Sequence, residues 1–369
     1  MFLLGVTFVE VMKYIGYFLG AIVCLMVMIL VHELGHYTAG KIFKFKINEF
    51  AIGFGPKIFA HTNKKTGEVF SVRALPLGGF CSFAGEDVDA VQEGDFNSKK
   101  PWQRIIVLVS GVLFNYIFAI IFLSIFFMGY GEVNRVVANV YDFKDTGDTA
   151  IVQQFQPNDI IVKIDGKNAY ASINDNFNAL FQGKDEMIVT VNRDGQIIDL
   201  NVKKGQVDKT IVDEKGNEVD ASYYGLGIEL SGSQIQLVKL PFFQAIGHSF
   251  VFGKDVIAVS LRAIGSIFTG GAKVGETLGG TFTAISMLAT LTSSGFFAIL
   301  YGLGIFSVSL AFMNILPLPA LDGARVVFCL IEWIAGKPVN RKVEGIIHTV
   351  GLLLLLGLTI TLDLVHFLG

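Results

Sequence analysis

What most constrains this chain is a set of four apolar runs, each long enough to cross a bilayer's hydrocarbon core, which takes about 20 helical residues. They extend from about Tyr14 to Val31, Ile105 to Met128, Phe296 to Leu316 and Gly345 to Phe367. The second and third hold no charge, and the fourth carries only His348, Asp363 and His366. Backbone polar groups in lipid must be satisfied within the segment, so such runs read as helices. The composition agrees. Of 369 residues 52% are hydrophobic and only 17% charged, with a mean hydropathy of +0.57, against about 25% charged in a soluble domain. The fold class expected is a polytopic α-helical membrane protein with four core transmembrane helices. A net charge of −3 offers nothing to attract nucleic acid. Cys24, Cys81 and Cys329 lie far apart without a CxxC and read as buried thiols.

Charge asymmetry sets the expected orientation. The stretch from Lys41 to Arg104 is rich in lysine and arginine, and the short connection before the fourth run holds Arg325, Lys337, Arg341 and Lys342. Both belong on the cytoplasmic side by the positive-inside rule, which leaves the termini and the long segment 129–240 extracytoplasmic. The N-terminus lacks a basic n-region and a cleavage site, so it does not read as a signal peptide.

Five regions follow. Residues 1–128 form an N-terminal membrane half. Within it, 47–83 reads as a β-hairpin turning at Asn63–Gly67, with breaker-rich loops at Gly53-Phe54-Gly55-Pro56 and Pro76-Leu77-Gly78-Gly79-Phe80. It is either membrane-associated or an ordinary cytoplasmic surface hairpin. Residues 129–205 look like a small soluble domain, with strands at Asp159–Ile164, Ile188–Asn192 and Ile197–Val202, a turn at Asp194-Gly195, and a short helix at 173–182. Residues 206–240 form a β-rich connector. In 241–295, Gln244, His248, Asp255 and Arg262 make one polar stripe on an apolar helix, as suits a helix lying at a membrane surface. Residues 296–369 form a C-terminal membrane half.

The chemistry is carried by His32-Glu33-Leu34-Gly35-His36, an HExxH motif at the end of the first run. Helical spacing of four puts His32 and His36 on one face, able to hold one Zn²⁺. Glu33 lies about 100° around the helix, placed to exchange a proton with a water that the metal activates. Ionisable groups in a spanning helix are costly, which makes them functional candidates. A catalytic zinc takes three protein ligands, and the third candidate is Asp322, after the broken segment Asn314-Ile315-Leu316-Pro317-Leu318-Pro319-Ala320-Leu321. The other reading of Asp322 is a helix N-cap. Asn314 could bond the substrate backbone or the developing oxyanion, or make an interhelical bond. His61, His248, His348 and His366 read as packing residues.

At these residues the chain resembles the site-2 protease family of intramembrane zinc metalloproteases (peptidase family M50), in its bacterial sigma-factor-regulating branch. The matching elements are HELGH at 32–36, NILPLPALDG at 314–323, GFGPKIF at 53–59, PLGGF at 76–80 and the run from Lys100 through Asn115. A PDZ-like insert, on matches at Pro157–Gly166 and Arg193–Gly195, completes the likeness over nearly the whole chain. The resemblance implies zinc on His32, His36 and Asp322, one ion per chain, with Glu33 as acid/base. It also implies that Asn314, Pro317 and Pro319 present an extended substrate, which pairs with the edge of the membrane-associated hairpin. Family members often have Ala-Gly-Pro where Ser110-Gly111-Val112 stands, and Gly-Gly where Gly323-Ala324 stands.

The expectation is a monomeric zinc metalloendopeptidase of the bacterial cytoplasmic (inner) membrane, multi-pass, with termini and one PDZ-like domain extracytoplasmic. It would cut single-span membrane proteins, such as anti-sigma factors and remnant signal peptides, after a first extracytoplasmic cut. Two rivals differ in class. A metal transporter using the same four residues would load metal into vesicles and make no new peptide ends. A scaffold binding peptide termini would be indifferent to Glu33→Gln.

Overall fold

A computed structural model describes residues 8–86, 92–144, 153–169, 183–212, 218–269 and 279–368. The chain divides into two compact units, Met1–Phe126 with Ile246–Gly369, and Phe127–Ala245. The short helix expected at 173–182 lies outside the described residues.

The first unit is helical. Its elements are α1 (Phe8–Ile42), α2 (Pro101–Gly129), α3 (Phe242–Phe268), α4 (Thr281–Ser293), α5 (Phe296–Ile315), α6 (Asp322–Ala335) and α7 (Arg341–Leu368). Among the described residues α1, α2, α5 and α7 are long and apolar enough to cross a membrane, matching the four runs. Helix α1 continues past the HExxH motif to Ile42, so the motif lies inside the helix rather than at its end. Ala21, Cys24 and Met28 of α1 pack with Ile285 and Leu288 of α4 and Leu303 of α5. Thr292 Oγ1 ties α4 to α1 by donating to the Tyr17 carbonyl at 3.0 Å.

Helix α3 forms where the polar stripe was seen, but half of that stripe is turned inward. His248 and Asp255 are buried, together with Ser249, while Phe243, Phe250 and Leu261 are exposed. Ser249 Oγ lies 3.1 Å from Ser124 Oγ of α2. An outward apolar face suits a hydrocarbon neighbour, where the usual inside-out rule of soluble helices is reversed.

Two long strands, β1 (Ile47–Thr62) and β2 (Val69–Phe83), pair antiparallel. Residues 57–62 pair with 69–73 and residues 47–52 with 79–83, while 49–52 also lie beside 69–72. The hairpin is therefore folded over on itself, leaving 79–83 at an edge. The bends fall at glycines. Gly53 has φ +86 and Gly78 φ +111, and a Cβ on Gly53 would sit 2.6 Å from the Leu75 carbonyl oxygen. Phe45, Ile47, Phe83 and Phe96 anchor the hairpin base against Val107 and Leu108 of α2 and Cys329 of α6.

At the start of α2 the buried Arg104 pairs with Glu332 of α6 at 2.6 Å. Glu332 also meets Arg341 of α7 at 2.9 Å, and Arg341 meets Glu344 at 2.8 Å. One ionic chain thus joins three helices.

The second unit is a β structure. Strands β3 (Glu132–Val140), β4 (Ile160–Ile164), β6 (Glu186–Arg193), β7 (Gln196–Lys203) and β10 (Ile228–Val238) form a sheet of order β10-β3-β4-β6-β7, with the short β5 (Lys167–Asn168) on β4. Strands β8 (Gly205–Val212) and β9 (Glu218–Gly225) make a separate antiparallel pair. Alternating residues supply the core: Val137, Ile161, Ile164, Val189, Val191 and Leu200. Arg193 grips the fully buried Asp159 through two bonds of 2.7 Å.

Candidate metal centre

Helix α1 puts His32 and His36 one turn apart on the same face, with ring centroids 4.7 Å apart. The third group arrives from α6. Helix α5 ends at Ile315, and the following loop is held by its own turns, Leu318 N–H donating to the Leu316 carbonyl at 2.7 Å and Leu321 N–H to that of Leu318 at 3.1 Å. Ala320 takes a left-handed φ of +76 and donates its N–H to His348 Nδ1 of α7 at 3.0 Å. Asp322 then opens α6, and a side chain on Gly323 would collide with the carbonyl oxygens of Ile315 and Leu316. The Asp-Gly pair therefore lets the chain turn tightly and still aim its carboxylate back at α1. The cap position falls to Leu321 and no side-chain cap bond is made, so Asp322 is not spent as an N-cap.

The convergence is close. Asp322 Oδ2 lies 2.9 Å from His32 Nε2 and 3.2 Å from His36 Nε2, and the two Nε2 atoms are 3.1 Å apart. Ligands placed tetrahedrally about 2.0–2.1 Å from a zinc ion would stand about 3.3 Å from one another. The donor set, two imidazoles and a carboxylate, fits that ion in type and in spacing. Among the described residues this is the group of His, Cys, Asp or Glu side chains able to hold a metal.

Helix α2 forms the back wall. His36 Nδ1 lies 2.8 Å from the Val107 carbonyl oxygen, which can only accept, so Nδ1 carries the hydrogen and Nε2 the lone pair. Four residues on, Gly111 leaves room for the rings. Four further, the fully buried Asn115 brings its side-chain amide to 3.3 Å from His32 Nδ1. In front, the hairpin edge supplies Cys81, whose backbone N–H donates to Glu33 Oε2 at 2.9 Å.

His32, Glu33, His36, Asp322 and Asn314 line one cavity of about 420 Å³, together with Phe80, Cys81, Ser82 and Phe83 of β2. Pro317 and Pro319 do not line it. They lie in the loop before Asp322, with Pro319 packed against Gly351 of α7. His248 is buried in α3, and His348 holds the loop rather than the centre. The contributions of Val107, Gly111 and Asn115 were not singled out from sequence. A carbonyl and an absent side chain leave no chemical signature there. The asparagine did leave one, as an amide in an otherwise apolar span.

The family described as "Peptidase family M50" matches residues 20–358, most of the chain. A protein of Clostridium perfringens named "putative zinc metalloprotease" is 32% identical over 351 residues, covering 93% of this chain and 96% of that protein. Proteins under the same name from Fusobacterium nucleatum and from a Nostoc species are similar, the first 32% identical over 92% of this chain and 95% of its own length. The second is 30% identical over 93% and 94%.

Proposed function

The chain belongs to peptidase family M50, and on that premise we propose that it is an intramembrane zinc metalloprotease cutting single-span membrane proteins. The observation that carries this reading is the meeting of His32, His36 and Asp322 within 4.8 Å of one another, beside Glu33 in one cavity. His32 Nε2, His36 Nε2 and an Asp322 carboxylate oxygen would hold the ion. Bound zinc supplies the Lewis acidity that makes water nucleophilic near neutral pH and polarises the scissile carbonyl. Glu33, steadied at one oxygen by the Cys81 N–H, takes the proton of the attacking water and returns it to the leaving amine.

A transmembrane helix hides its amides, so the substrate must unwind before cleavage, and strand addition compensates the hydrogen bonds it gives up. The edge at 79–83 supports such pairing, because Phe80 to Phe83 line the same cavity as Glu33. Asn314 bonds the substrate backbone directly. Pro317 and Pro319 help present it through the loop they shape.

The wider reading is second-site cleavage in regulated intramembrane proteolysis, in a bacterial inner membrane, with both termini and a PDZ-like domain at 129–205 on the extracytoplasmic side. That domain admits substrates already trimmed outside. Anti-sigma factors and remnant signal peptides are the substrate classes, and the monomer is the working form. Purified Glu33→Gln is expected to keep one zinc per chain and to lose at least about a hundredfold in cleavage of a single-span substrate. Asp322→Ala is expected to lose both metal and cleavage. Wild-type cleavage by Glu33→Gln would overturn the mechanism.

A further inference from the structure

We infer that Asn115 is a positioning residue for the metal centre, accepting the Nδ1 hydrogen of His32 and so keeping that ring's Nε2 lone pair on the ion. The inference rests on the zinc reading of His32, His36 and Asp322.

A histidine that binds metal through one nitrogen carries its hydrogen on the other, and that N–H needs an acceptor to fix tautomer and ring angle. For His36 the acceptor is the Val107 carbonyl. His32 faces the same helix two turns further on, where the polar group at its Nδ1 is the Asn115 amide, 3.3 Å away. Val107, Gly111 and Asn115 recur every four residues along α2, as His32 and His36 do along α1. Each histidine therefore has its own opposite position: a carbonyl for one, an amide for the other, and a glycine between them.

Asn115 is fully buried, and its Oδ1 has no hydrogen-bond partner among the described residues. The two ends of an amide have nearly the same shape, so a half-turn about the last side-chain bond exchanges them. With Nδ2 towards His32, the ring must present a bare Nδ1 and carry its hydrogen on Nε2, which would block the metal. With Oδ1 there, the unpartnered oxygen gains a donor and Nε2 is free. Zinc binding selects the second arrangement. An apolar residue at 115 would leave the Nδ1 hydrogen of His32 unpaired and the ring free to swap tautomer or tilt.

The test is zinc affinity of the full-length protein in detergent, by competition with a chromophoric chelator, beside the melting temperature of the metal-free form. Asn115→Leu is expected to raise the zinc dissociation constant about 10–100-fold while the metal-free melting temperature stays at the wild-type value. Asn115→Asp, which keeps an acceptor oxygen, is expected to restore affinity to within about threefold of wild type. Asn115→Ala replaces the leucine variant if that one does not fold. Wild-type affinity in Asn115→Leu overturns the inference. So does equal loss of affinity and stability in the leucine and aspartate variants, which is the mark of a purely structural residue. His32→Ala distinguishes the two levels. If it binds zinc as tightly as wild type, the zinc reading itself fails and takes this inference with it.

Discussion

Gly111 faces the two imidazoles from α2, and a Cβ there would lie 2.6 Å from His36 Nε2 and 2.8 Å from His32 Cε1. Non-bonded carbon does not approach nitrogen that closely, so an added methyl must displace the rings or part the helices. Gly111→Ala is expected to cut zinc affinity at least tenfold, read by chelator competition. Gly16→Ala in α1 is the control, since nothing lies within 4 Å of a Cβ there. In that case alanine should stabilise the helix by about 0.5–1 kcal/mol. If Gly111→Ala binds zinc as wild type does, the rings have slack and the glycine serves helix packing alone. His32, His36, Glu33 and Asp322 were legible from sequence because metal chemistry demands particular side chains at particular spacings. Gly111 and the Val107 carbonyl act through backbone and empty space, which any residue string can hide. Asn115 stood in plain view, but its meaning depends on which histidine lies opposite, and that is a tertiary fact.

At the level of elements, the four spans were readable because charge-free runs of about 20 residues have few other stable homes. The hairpin was readable as two strands and a turn, but its doubling back was not. Pairing of 49–52 with 69–72 as well as 79–83 with 47–52 depends on contacts between bends that no local pattern encodes. The polar stripe of α3 was visible too, yet its direction was not, because amphipathicity alone does not say which face meets protein. What fastens α2, α6 and α7 to one another is ionic. Arg104 is fully buried against Glu332, which Arg341 also contacts. Burial raises the Glu332 carboxyl, while Arg104 and Arg341 pull it below its ordinary 4.5, and the arginines win. A carboxylate with a depressed folded pKa contributes stability above its unfolded pKa and loses it as pH falls through the folded value. Melting temperature in detergent should therefore decline as pH drops below about 4.5, and Glu332→Gln should flatten that decline. Arg104→Met, which removes one partner of a buried pair, should cost about 3 kcal/mol at neutral pH. An unchanged melting temperature would show that Arg341 alone suffices for Glu332.

On the scale of the whole molecule, the centre joins residues 290 positions apart, yet all of its groups belong to one of the two units. The β unit enters and leaves the chain at a single point: Leu240 N–H donates to the Phe127 carbonyl at 3.0 Å, and Glu132 pairs with Val238. Termini that meet across one hydrogen bond are the mark of an inserted domain, one that can be removed without stretching what remains. It also has its own buried core around Ile161, Val189 and Val191. Two outcomes are expected. Residues 127–245 expressed alone should melt cooperatively by circular dichroism, as a self-sufficient domain does. The chain with 129–240 replaced by a short glycine-serine linker should bind zinc with wild-type affinity, since no ligand or positioning group is lost. If the β unit acts as a filter for trimmed substrates, the shortened chain should also cut untrimmed single-span proteins that the full chain leaves intact. Loss of zinc on deleting the β unit would mean that the metal centre is not complete within the helical unit, and the division of labour between catalysis and selection would have to be abandoned.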